Sequence, residues 1–523
     1  MGHDSGVTAV DPGPAPDAAA LVLPSADDPV VAGAVSAVGG PPGRHARLTG
    51  RRLWTPVRVI VVLTLLTCTL GFLQKAPCRT HAWADEYQYT RACYTDVYAL
   101  YFAEGLNDGK RPYLDHPVEY PVVMGVAMEA AAKLVRVFPA DERPKRFYDV
   151  TWALLTACAV VVAVTTARLA GRRQWDAAMF ALAPVLLLHG TTNWDLIAMA
   201  LAGLGLVAWA RRRPVAAGAL LGLATAAKLY PVLFLVPLAV LCLRARKIRP
   251  FVVTAVATVL MILAVSLPVY VASPYFADVK GQQTVVATRP LDRLGSEGLR
   301  ALSPHVDVRL PDGTTVHGVN AVYRFFDLNQ LRGADWDSLW FALQTARGGT
   351  PLDQNLEPGQ APKRLNDGVA ALFLLALAGI AVLAWKAPRR PRLPQLLFLT
   401  MVAFLLTNKV FSPQYSIWLL PLAVLARPRW RPFLAWQATE VLVLFSRFYF
   451  FVGNDKPGQG LPVSWFLGAV ILRDLALLGF AGLVVRDILR PEHDVVRADG
   501  TDDPAGGPLV DPLPRRQRAA ATS

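Results

Sequence analysis

The sequence predicts an all-α, polytopic membrane protein. Three observations carry that prediction. Of 523 residues, 54% are hydrophobic and only 18% charged, with a mean hydropathy of +0.35, whereas soluble domains devote about a quarter of their residues to charge. Apolar runs of roughly 16–22 residues recur from Val57 to Val485, close to the ~20 residues a helix needs to cross a bilayer. Those runs show no period of two, and in hydrocarbon only helices or closed barrels satisfy the backbone.

Taken in order, residues 1–52 are rich in Ala, Pro, Gly and Asp without periodicity and are expected to form a disordered cytoplasmic tail. A membrane domain follows over 53–486. Its expected spans are 57–73, 148–169, 175–191, 195–210, 214–229, 231–243, 251–271, 367–386, 393–408, 413–426, 433–452 and 462–485. Residues 487–523 are expected to form a second disordered cytoplasmic tail. The first apolar run begins too late for a signal peptide and is expected to remain as an anchor.

Basic residues cluster between the runs, at Arg51-Arg52, Arg172-Arg173, Arg211–Arg213, Arg244–Lys247, Arg389-Arg390 and Arg427–Arg431. This is the positive-inside pattern of cytoplasmic loops. It accounts for the net charge of +14 without nucleic acid, and anionic lipid headgroups are the natural partners. Segment 118–138 is apolar at first and then carries Glu129, Lys133 and Arg136. It either spans or dips, so the count is about 12–13 helices; dipping leaves every later basic cluster inside.

Two large external loops are expected, at about 74–117 and 272–366. The first holds Cys78 and Cys93, which either pair in an oxidising compartment or remain free thiols. The second is too long for a simple connection, and it interleaves aromatic and charged residues as headgroup interfaces and sugar-binding surfaces do. No dinucleotide, ATP or zinc motif is present, and no soluble α/β domain is available to hold a sugar nucleotide.

The candidate chemistry lies where polar groups meet helix ends on one side. Asp96, flanked by Tyr94, Tyr98 and Tyr101, is either a general base or a helix cap, since Thr95 and Asp96 both favour that position. The adjacent acids Asp85 and Glu86 either hold a divalent cation through oxygen ligands or are solvated charge. No cofactor is otherwise implied. Lys228, Lys409 and Arg447 either hold a phosphate or snorkel to the interface. Glu119-Tyr120-Pro121, Asn193-Trp194-Asp195, Tyr230 and Gln414-Tyr415 complete the set. Ionisable groups at membrane depth are costly and usually mark a site or a pathway.

The order Asp96-Val-x-x-Leu-Tyr, Gly105, Asp108-Gly109-x-x-Pro-Tyr113, Glu119-Tyr-Pro, Asn193-Trp-Asp195, Lys228-Leu-Tyr-Pro and Ser412-Pro-Gln-Tyr resembles glycosyltransferase family 87. These are actinobacterial membrane proteins of the polyprenyl-phosphate-mannose-dependent type. The resemblance spans roughly residues 55–485. It implies a glycosyltransferase C type fold, and it implies inverting transfer of a sugar, mannose first, at the extracytoplasmic face of the plasma membrane. The donor would be a polyprenyl-phosphate sugar, and the acceptor a glycolipid or cell-envelope glycan. Asp96 would act as base, and Lys228, Lys409 and Arg447 as phosphate holders. Asn193, Asp195, Glu119 and Tyr120 would contact sugar or acceptor. Where some members carry histidines after the late Ser-Pro, this chain has Gln414-Tyr415, leaving a second proton-handling group there in doubt. The competing readings are a transporter or flippase of lipid-linked envelope precursors, and a non-catalytic scaffold in which Asp96 is dispensable.

Overall fold

The computed structural model describes residues 21–23, 27–39, 54–84, 87–279, 281–357, 359–456, 458–498 and 500–510. Asp85 and Glu86, the candidate cation pair, lie outside them.

The chain is a predominantly helical, multi-pass membrane protein. Among the described residues, five helices are long and apolar enough to cross a bilayer: Pro56–Thr80, Arg143–Leu169, Ile248–Ala272, Lys363–Lys386 and Val463–Leu489. Shorter apolar helices, among them Asp195–Ala210, Pro214–Ala227 and Leu393–Thr407, pack between them. Ile248–Ala272 and Lys363–Lys386 are mostly exposed along their apolar lengths, the surface a bilayer would cover.

The first long helix shows how sequence sets packing. Thr55 caps it by accepting from Arg58 N, and Pro56 begins it where a missing N–H costs nothing. Its buried positions, Ile60, Thr64, Thr67, Cys68, Gly71, Lys75 and Cys78, follow the helical period. At Gly71 an added Cβ would stand 2.5 Å from the Leu187 carbonyl oxygen. Glycine therefore lets this helix lie directly against Pro184–His189.

Segment 118–138 contains the helix Val122–Leu134. At its start the Tyr113 hydroxyl donates to the carbonyls of Tyr120 and Pro121, both at 2.8 Å, and beyond its end Arg136 donates to the Gly109 carbonyl. Both ends are tied to the same polar loop. The basic clusters gather at the opposite end. There Arg173 pairs with Asp27 and Asp176, Arg429 donates to the Asp27 carbonyl, and Arg212 and Arg390 donate to the carbonyls of Val510 and Leu509.

Those contacts correct both predicted tails. Residues 27–39 are ordered, with the helix Pro29–Gly39 led by Asp28, whose carboxylate accepts from Val30 N and Trp430 N. Residues 487–498 and 500–510 are ordered as well. The last long helix runs on to Leu489, and the residues after it fold back over the basic end. Arg392, 1% exposed, draws them in, bonding Asp494 and the carbonyls of Leu425 and Ala426. Asp503 accepts from Leu393 N. A buried cation needs carboxylate and carbonyl partners, and the polar tail supplies them. Apart from residues 21–23, the rest of both tails lies outside the described residues.

The segment after Ile248–Ala272 adds a feature beyond the expected helices. Strands β1 (Tyr275–Val279), β2 (Gln282–Ala287), β3 (His305–Arg309) and β4 (Thr315–Asn320) form an antiparallel sheet ordered β2-β1-β4-β3. The β3–β4 hairpin turns at Pro311-Asp312-Gly313, with Gly313 at φ +87°. Its alternation and Asp-Gly turn are a hairpin signature present in the sequence.

Candidate active site

The polar loop is held rigidly to the first long helix. Cys78 and Cys93 are bridged, Gln74 donates to the Ala92 carbonyl at 2.7 Å, and Lys75 donates to the Tyr94 carbonyl at 2.8 Å. Trp83 donates to the Cys93 carbonyl and stacks on Tyr98. These ties fix the strand-like approach to Asp96 from one side. From the other side, Thr95 Oγ1 donates to the Thr191 carbonyl, and Asp96 N to the Thr192 carbonyl at 2.8 Å.

Thr95, not Asp96, caps the helix Asp96–Ala103, its hydroxyl accepting from Val97 N. This division of labour frees the Asp96 carboxylate to face a cavity of ≈ 510 Å³. Asp96 Oδ1 accepts from the Tyr94 hydroxyl at 2.6 Å and Oδ2 from Asn193 Nδ2 at 2.8 Å. Asn193 Nδ2 also reaches the Tyr120 hydroxyl at 2.7 Å. Burial pushes the Asp96 carboxyl above the usual range, and the hydrogen bonds from Tyr94 and Asn193 pull it back. A carboxylate raised above its usual range, with both oxygens oriented, suits a proton acceptor.

The same cavity collects most of the other residues singled out from the sequence: Glu119, Tyr120, Asn193, Lys228, Tyr230, Lys409, Gln414, Tyr415 and Arg447 line it with Asp96. Asp195 sits behind this lining, fully buried, where it pairs with Lys228 at 2.5 Å and accepts from Trp418 Nε1. Trp418 is sandwiched between Tyr230 and Tyr415, with ring centroids 4.3 and 4.2 Å away. The Lys228 ammonium lies 5.2–5.7 Å from the rings of Tyr415, Trp418 and Tyr120, an arrangement that stabilises a desolvated cation.

The three cations expected to hold phosphate already have protein partners. Lys228 has Asp195. Arg447 pairs with Asp337, whose main-chain carbonyl is held by Arg473. Lys409 donates to the carbonyls of Gln330 and Arg332 and to Asn366 Oδ1, so it acts as a strut between the bundle and the segment over the site. Desolvation pulls its pKa down to about 8. Arg332 in turn pairs with Glu119 at 2.9 Å, and Phe325, Phe326 and Asn329 extend the cavity wall from that segment.

Lys75, His189 and Trp418 also line the cavity but were not found from the sequence, and Arg332 lines it from the external segment that interleaves aromatic and charged residues. Lys75 falls on the buried helical stripe between Gly71 and Cys78, a signal that was available. His189 and Trp418 look like ordinary members of apolar runs. Among the described residues no three His, Cys, Asp or Glu side chains gather as a metal site.

Residues 137–292 match the model of glycosyltransferase family 87. No match is found among curated proteins. Among solved structures, the chain is similar to the Archaeoglobus fulgidus oligosaccharyltransferase in its apo form. That likeness has 14% identity and a TM-score of 0.37, and it covers 84% of this chain and 56% of that one. The chain thus spans little more than half the length of that protein.

Proposed function

We propose that this protein is a glycosyltransferase of family 87 and transfers a sugar, mannose first, from a polyprenyl-phosphate donor to a lipid or cell-envelope glycan acceptor. The fold implied by the family is glycosyltransferase C, and the cavity end faces the extracytoplasmic side of the plasma membrane. One observation carries the reading: Asp96 lies on the cavity wall with each oxygen oriented by a separate donor, in a chain whose 137–292 stretch matches this family.

In this mechanism Asp96 takes the proton of the acceptor hydroxyl as its oxygen attacks the anomeric carbon. The bond from that carbon to the phosphate oxygen breaks, and the phosphate leaves with the electron pair. Direct displacement inverts the anomeric configuration and needs no covalent intermediate. Tyr94 and Asn193 orient the base. Tyr120 and Glu119 contact sugar or acceptor, and the stacked Tyr230, Trp418 and Tyr415 offer an apolar, aromatic wall suited to a sugar face. Lys228, Lys409 and Arg447 contribute positive potential where the phosphate develops charge.

The positive-inside distribution supports the orientation, since the basic clusters gather at the end away from the cavity. A cavity confined to that one end favours transfer over the transporter reading, in which polar sites lie near the midplane.

The test is transfer from labelled polyprenyl-phosphate-mannose in proteoliposomes supplied with host lipid extract, with wild type and Asp96→Asn side by side. Labelled product from wild type, reduced by about 10²- to 10⁴-fold in the variant, is expected. Equal product from both would remove Asp96 as the base. No product from folded wild type would count against this donor and for the transporter.

A further inference from the structure

We propose that Lys75 and His189 form the seat for the phosphoryl group of an isoprenoid phosphate, a binding site additional to the three cations singled out from the sequence. The inference rests on the donor class proposed above, and it follows from an imbalance in the cavity. Lys228 and Arg447 each have a carboxylate, and Lys409 has three oxygens. Lys75 is 1% exposed and has one neutral acceptor, the Tyr94 carbonyl. No described carboxylate stands within ion-pair distance of it. His189, 2% exposed, has no hydrogen-bond partner at either ring nitrogen. Both residues line the cavity, and Lys75 and Arg447 lie within electrostatic reach of the His189 ring.

A buried ammonium with a single neutral partner is expensive, and an unpartnered buried imidazole adds to the cost. Two such groups on one cavity wall are an arrangement completed by an anion. Lys75 supplies the charge and two remaining protons, and the neutral imidazole supplies one N–H. Tyr94 links this seat to the base, because its carbonyl holds Lys75 while its hydroxyl holds Asp96. A phosphate at Lys75 would therefore leave the atom bonded to it close to Asp96.

The experiment measures binding of farnesyl phosphate, farnesol and inorganic phosphate to detergent-solubilised full-length protein, by calorimetry and by the shift in melting temperature. Wild type should bind farnesyl phosphate, bind inorganic phosphate more weakly, and not respond to farnesol. Lys75→Met and His189→Leu should each weaken farnesyl phosphate binding on the order of tenfold to a hundredfold, and Lys75→Arg should restore most of it. Lys75→Met should also melt no lower than wild type when empty, because it removes a buried charge that has no carboxylate within ion-pair distance. A purely structural lysine would instead lower the empty protein's melting temperature and leave the affinity of the folded fraction intact. That result, wild-type affinity in both variants, or no binding by wild type would overturn the seat. Phosphate binding without sugar transfer would leave the seat standing and remove the transferase reading alone.

Discussion

The two ends of the bundle use the same residue types to opposite effect. At the basic end Arg392 has an acceptor at each guanidinium nitrogen, supplied by Asp494 and two main-chain carbonyls. Arg173 is closed by Asp27 and Asp176, and Arg427 by Asp487. The void between Arg173, Arg392 and Pro504 is ≈ 10 Å³. At the other end Lys75, Lys228, Lys409 and Arg447 surround ≈ 510 Å³, and Lys75 has no described carboxylate within ion-pair distance. Buried cations do not by themselves mark a site. What marks one is space beside a cation whose counter-charge the protein does not supply.

Breaking the closed end should produce the largest effect on stability. Arg392→Ala leaves Asp494 buried without its cation and frees two carbonyls, a loss of about 3–5 kcal/mol. The expected outcome is a strongly lowered melting temperature and easier proteolysis of 490–510, with unchanged KM for donor in the protein that remains folded. A variant that lost donor affinity while keeping its melting temperature would erase the distinction between the ends.

The connection between the ends can be tested at Gly71. An alanine there would place its Cβ 2.5 Å from the Leu187 carbonyl, two residues before His189 and six before Asn193. Gly71→Ala should cost about 1–3 kcal/mol through overpacking. It should also reduce transfer, because the 187–195 segment carries Asp96's partner. Comparing its melting temperature and its kcat with those of Arg392→Ala separates a lesion that reaches the site from one that does not.

Much of this contrast was legible in the sequence, but unevenly. Hydropathy and basic clusters mark the spans and the closed end because both are local in the chain. The acidic, tyrosine-rich loop points to Asp96 for the same reason. The order in 487–510 was not legible, since a Pro- and Asp-rich segment has no local reason to fold; its partners, Arg392 and Leu393, lie about a hundred residues away. Lys228 and Arg447 could be picked as cations, but not as cations already paired, because Asp195 and Asp337 become their neighbours only through packing. Lys75 carried the helical period of a buried face and could have been found. The β3–β4 hairpin carried its Asp-Gly turn, and only the dominance of helical signal obscured it.

The smallest predicted effect concerns a buried acid of the site end that has no strong counter-charge. Glu104 is 3% exposed and accepts from Glu119 N, and burial pushes its pKa up to about 8. His116 stands 3.7 Å away, but desolvation and the Lys110 charge hold its pKa below the ordinary histidine value. A carboxyl whose folded pKa lies above its unfolded one stabilises the fold fully below the unfolded value, near 4.5, and that stability is lost as pH rises through about 8. The melting temperature of wild type should therefore fall across that window. Glu104→Gln should flatten the fall, because an amide keeps the neutral form at every pH. The effect reaches the site through Glu119, whose main-chain N–H Glu104 holds and whose carboxylate pairs with Arg332. An unchanged pH dependence in Glu104→Gln would assign it to another group and leave Glu104 as an ordinary packing residue.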